Sequence, residues 1–124
     1  MSEAWPEIVA SIRARGTGEL PDEIRRALGG IEALAVSIAE GPLASVLFGW
    51  TSMFDLCIQQ TDTPPRAGPH LRISPLASGS VEFRYVDTGI AARQWHRQVP
   101  PEATILRLNA FLKQLAWVHP RRGS

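Results

Sequence analysis

Between residues 5 and 38 apolar side chains return every three or four positions, whereas between residues 70 and 85 they return every second one. The first period belongs to helices and the second to strands. Trp5, Ile8, Val9 and Ile12 predict a helix that carries Pro6 in its first turn, where a missing N–H costs nothing, and that stops at Gly16 and Gly18. Ile24, Leu28, Ile31, Ala35 and Ile38 predict a second helix, opened by Leu20-Pro21 with Asp22 and Glu23 in the turn where the helix dipole favours acids. Gly29-Gly30 interrupts its apolar stripe, and at roughly 1 kcal/mol per interior glycine the expectation is a kink or two shorter helices.

After the break at Glu40-Gly41-Pro42 the pattern fits two templates. Leu43, Leu47, Trp50, Phe54 and Ile58 make a helical stripe, while Phe48, Trp50, Phe54, Leu56 and Ile58 also alternate as a strand. The aromatic content and Gly49 favour a short helical turn over Leu43 to Phe48, then a strand from Trp50 to Gln59. Thr61 to Pro69 is a loop by its proline and glycine content. Leu71 and Ile73, then Val81, Phe83 and Tyr85, alternate with polar residues on either side of Ser78-Gly79-Ser80, which predicts a hairpin. Pro75 cannot donate to a ladder and belongs at an unpaired position or a strand end. Asp87-Thr88-Gly89 turns the chain into a further strand, Ala92 to Val99. A last helix follows Pro100-Pro101-Glu102, with Ile105, Leu108, Leu112 and Leu115 inward and Leu106 and Phe111 widening the stripe. Residues 119–124 read as a loose basic tail.

Helices, then strands, then a helix imply one α+β domain over residues 1–124. Its antiparallel sheet of about four strands, a meander, is packed on one face by two N-terminal helices and one C-terminal helix. Trp50, Phe54, Leu56, Ile58, Leu71, Ile73, Val81, Phe83, Tyr85 and Trp95 are expected to face the helices. Thr51, Met53, Asp55, Cys57, Arg72, Ser74, Glu82, Arg84, Gln94, His96 and Gln98 then share the opposite face.

Composition narrows the functional classes. Cys57 is the single cysteine, so no intramolecular disulfide can form and a reducing, cytoplasmic setting is expected. The first residues lack the basic and apolar run of a secretory leader, and Leu43 to Ile58 is too short and too polar to span a bilayer. Net charge is only +1, which argues against nucleic-acid binding, yet the halves differ. Residues 1–62 set nine acids against four arginines, a balance of −5, and residues 63–124 set nine bases against three acids, +6. Twelve of the thirteen bases are arginine, whose fork matches carboxylates and phosphates, so a small anion is a candidate ligand of the second half.

No zinc-ligand spacing, phosphate-binding glycine loop or nucleophile elbow occurs, so neither a metal nor a cofactor is expected. The candidate ligand-binding residues are Asp55, Arg72, Glu82, Arg84 and His96 on the uncovered sheet face, where an imidazole beside a carboxylate is the one arrangement suited to acid–base chemistry. A solvated face laced with ion pairs explains the same residues. Cys57 reads as a small buried hydrophobe rather than a nucleophile. Arg93, Trp95 and Arg97 read as an edge strand whose arginine stems cover apolar surface and whose charge discourages pairing. Four tryptophans are many for the length, and Trp5 and Trp117, near the termini, are candidates for a subunit contact. The expected function is a small non-catalytic binding module for another protein or for a second copy of itself. The competing expectation is a small-molecule or anion-binding enzyme using the free sheet face.

Overall fold

The computed structural model describes residues 3–62, 69–87 and 89–117. Of the expected features, part of the Thr61 to Pro69 loop and the tail at 119–124 lie outside these residues. Helices α1 (Trp5–Gly16) and α2 (Asp22–Glu40) precede five strands, β1 (Phe48–Ser52), β2 (Asp55–Gln59), β3 (His70–Pro75), β4 (Val81–Val86) and β5 (Trp95–Val99), and α3 (Thr104–Gln114) follows. The strands pair in sequence order, all antiparallel. This is the expected α+β meander with one strand more than the four expected.

The extra strand comes from residues 50–59. They do not form a single strand: Ser52 pairs with Asp55, and Met53 and Phe54 turn the chain between β1 and β2. Across a two-residue turn, paired positions have opposite parity, so the inward set is odd-numbered in β1 and even-numbered in β2. Trp50 therefore lies opposite Cys57 on the uncovered face, and Thr51 lies opposite Leu56 under the helices, the reverse of the sequence expectation. Met53 takes a positive φ of 55° at the tip with 74% of its surface exposed.

The β3–β4 hairpin follows the sequence pattern. Leu71, Ile73, Val81, Phe83 and Tyr85 are buried. Gly79 accepts a φ of 91° and donates its N–H to the Leu76 carbonyl, while Leu76 donates to Ser80. With Leu76 and Ser80 closing the loop, Pro75 falls at the next, unbonded pair with Val81, where its missing N–H leaves nothing unsatisfied.

All three helices cover one face of the sheet. α1 packs on β1, where Trp5 donates Nε1–H to the Leu47 carbonyl at 3.0 Å and lays its ring against Gly49. A Cβ on Gly49 would come within 2.8 Å of that ring. Trp5, one of the subunit-contact candidates, is 6% exposed and belongs to the core. α2 crosses β3 and β4 as one unbroken helix rather than as two shorter ones. The reason for Gly30 is a close approach: a Cβ there would sit 2.7 Å from Pro101, whereas one on Gly29 would meet nothing. Thr104 ties the same contact by donating its hydroxyl to the Gly30 carbonyl.

α3 buries Thr104, Leu108, Phe111 and Leu112, a stripe rotated from the expected one. Ile105 and Leu106 are exposed, Leu106 by 73%, because the Thr104 bond to α2 turns that first position inward. The helix ends in a pair of C-terminal bonds, Trp117 N–H to Leu112 and Ala116 N–H to Lys113, with Ala116 at a φ of 58°. This closure delivers Trp117 to the ring of Tyr85, 6.3 Å away. The strand expected over Ala92 to Val99 starts only at Trp95, since Ala91–Arg93 form a 3-10 turn. No helix among the described residues is long and apolar enough to cross a membrane.

The two neighbouring glycines of α2 should respond oppositely to alanine. Gly29→Ala should stabilise the fold by up to about 1 kcal/mol by helix propensity. Gly30→Ala should destabilise it by about 1–3 kcal/mol through overpacking against Pro101. Urea denaturation of both variants measures the pair.

Candidate binding surface

The uncovered face is built from the register. Trp50, Cys57, Arg72, Arg84 and His96 form one row across all five strands. Asp55 and Glu82 sit in the adjoining row, with Ser52 opposite Asp55 and Ser74 opposite Glu82. Two arginines directly opposite each other repel, and the carboxylates offset this. Arg72 donates Nε–H to Asp55 at 2.6 Å and reaches Ser52 Oγ at 3.4 Å. Glu82 takes Arg84 Nε at 3.4 Å through one oxygen and faces His96 Nδ1 at 3.9 Å through the other. All five ligand-binding candidates, Asp55, Arg72, Glu82, Arg84 and His96, thus share one face, four of them in the ion pairs Arg72–Asp55 and Arg84–Glu82 and His96 beside the second.

Two features adjoin these groups. The Trp50 and His70 rings meet at 5.4 Å beside Arg72. A hollow of about 310 Å³, lined by Arg84, Tyr85, Val86, Gln94, Trp95 and His96, lies at the other side. Cys57, in the middle of the row, is fully buried although it points away from the helices. Burial pushes its thiol up to about 11, and the smaller opposing pull of Arg72 does not restore it. A thiol so protonated is no nucleophile at neutral pH.

A second surface lies along β5. Its partner β4 is on one side, and no strand adjoins the other among the described residues. Arg97 lies 5.5 Å over the Trp95 ring, Trp95 meets Phe111 at 4.8 Å, and Arg107 lies 5.1 Å over Phe111. Two guanidinium groups therefore flank one aromatic pair, and each stem is held by its ring. Arg93 immediately precedes the strand. Arg93, Arg97 and Arg107 are exposed and have no carboxylate within ion-pair distance among the described residues. The sequence pointed to Arg93, Trp95 and Arg97 but not to Arg107. Its spacing of four from Phe111 was the available signal, and only the fold shows that Phe111 reaches Trp95. Trp117, the other subunit-contact candidate, is half-buried on Tyr85 in the same aromatic cluster.

The opposite edge is closed. Glu3 donates its N–H to the Gly49 carbonyl at 2.8 Å, and its carboxylate accepts from the Thr51 N–H and hydroxyl. Among the described residues no group of three or more His, Cys, Asp or Glu side chains is arranged to hold a metal ion. No family model matches the chain, and no curated protein and no solved structure matches it either.

The buried thiol has a measurable signature. Its folded pKa of about 11 lies above its ordinary 9.0. The folded state therefore holds the proton more tightly, and the thiol's contribution to stability is complete below pH 9 and lost as pH rises towards 11. Unfolding free energy should fall across that window by on the order of 2 kcal/mol more for the wild type than for Cys57→Ala. Parallel slopes for the two proteins, or rapid alkylation of native Cys57 at pH 8, would contradict the burial.

Proposed function

We propose that the protein is a non-catalytic binding module whose ligand is another protein. The observation that carries this reading is the exposed group Arg93, Arg97 and Arg107 beside strand β5, which has no acidic partner among the described residues, while the arginines of the uncovered face are already paired. Aromatic and arginine side chains together are what protein interfaces concentrate at their centres. The Tyr85, Trp95, Phe111 and Trp117 cluster underlies that surface. The lone cysteine favours a cytoplasmic setting.

A second reading is favoured by the hollow lined by Arg84 and His96, which has the size of a small ligand site. Here a small anion would displace Glu82 from Arg84, and the imidazole would supply proton transfer. Inorganic phosphate tests it: a rise in melting temperature should vanish in the Arg84→Ala, His96→Ala double variant. If the rise survives both changes, the ligand does not sit in the hollow.

Light scattering and capture from native lysate test the leading reading. A defined complex or a dimer should be retained by the wild type and lost in the Arg97→Gln, Arg107→Gln variant. A strict monomer that retains nothing would overturn it.

A further inference from the structure

We infer that β5 binds an extended acidic segment of the partner protein by strand addition, and that Arg97 is the gate. The inference rests on the protein-binding reading above and specifies its chemistry.

The open backbone groups of β5 follow from the ladder. Pro75 lacks an N–H and stands opposite Val81, so Val81 turns its own N–H and carbonyl towards β5, as do Phe83 and Tyr85. Their partners Val99, Arg97 and Trp95 bond inward. His96 and Gln98, between them, therefore point their backbone groups outward. One of those acceptors is occupied: Arg97 donates Nη1–H to the His96 carbonyl at 2.8 Å. The edge is blocked by an arginine of its own strand, a common protection against indiscriminate pairing.

A block of this kind selects its occupant. A neutral strand would have to strip Arg97 from the carbonyl and leave it only water to bond in exchange. An acidic strand brings the acceptor with it. The side chains of Trp95 and Arg97 project to the helix side of the sheet, where Arg107 lies over the Phe111 ring that Trp95 meets. An added strand presents alternate residues to that side. Carboxylates at every second position would take Arg97 and Arg107, free the His96 carbonyl, and let the new strand bond to His96 and Gln98. Arg93, at the entrance to the strand, extends the same charge.

The probe is a fluorescent octapeptide alternating glutamate and valine, titrated against the full chain at low ionic strength. It should bind at least about tenfold more tightly than its glutamine–valine analogue. The Arg97→Gln, Arg107→Gln variant should lose the same factor, and Arg13→Gln, on α1, should lose nothing. Binding should slow hydrogen exchange of the His96 and Gln98 amides, and methylating alternate peptide nitrogens should abolish it. No binding up to about 1 mM, unchanged affinity in the double variant, or equal binding of the methylated peptide would overturn the inference. Tighter binding of an oligothymidylate of the same length would replace it with nucleic-acid recognition. If lysate capture depends on Arg97 and Arg107 while the methylated peptide binds equally, strand addition falls and protein binding stands.

Discussion

Phe83 at the middle of the sheet is the contact on which the rest depends. It is fully buried, stands between Ile73 and Arg97 in the ladder, and meets Phe111 of α3 at 5.2 Å. Burying one such ring contributes roughly 1.5–3 kcal/mol. A slip of one residue would do more than forfeit that contribution, because Glu82 and Arg84 would enter the space under α2 and α3. Burying an unpaired charge costs several kcal/mol, so the penalty for the wrong register exceeds the gain from the right one. The row Trp50, Cys57, Arg72, Arg84, His96 is the other face of this decision. Its two opposed arginines are imposed by the apolar positions between them, and Asp55 and Glu82 make the arrangement tolerable.

What the sequence made legible is what depends on local alternation. The His70 to Val86 hairpin, its Gly79 turn and the exemption of Pro75 follow from residues within one supersecondary unit. So do the five charged candidates on one face, since strands β2 to β5 keep their parity. The errors arise where a turn lacks turn residues or where one residue depends on a distant element. Nothing near Trp50 announces the turn at Met53 and Phe54, because methionine and phenylalanine are poor turn residues. One overlooked turn exchanged Trp50 with Thr51. Gly30 looked like a helix fault until Pro101, seventy-one residues later, occupied the missing Cβ. The rotation of α3 has the same origin, since Thr104 bonds to α2.

The meander also determines where charge and edges fall. Consecutive pairing keeps chain neighbours together, so the acidic first half supplies β1 and β2 and the basic second half supplies β3 to β5 and α3. Each end of such a sheet leaves a row of unpaired backbone groups. At β1 the chain covers that row with the backbone and carboxylate of Glu3. At β5, among the described residues, Arg97 stands over it.

The two arginine-bearing surfaces differ in what a ligand must displace. At Arg72 an incoming carboxylate competes with Asp55, which is already at 2.6 Å and shielded from water by its half-buried position. The exchange replaces one ion pair with another and strands Asp55 beside the ligand, so it gains little. At Arg97 the competitor is a neutral carbonyl, and charge-assisted hydrogen bonds are roughly twice as strong as neutral ones. Displacement there also releases a backbone acceptor that the ligand itself can use. The direction of gain therefore favours the edge over the face, even though the face holds the greater number of polar side chains.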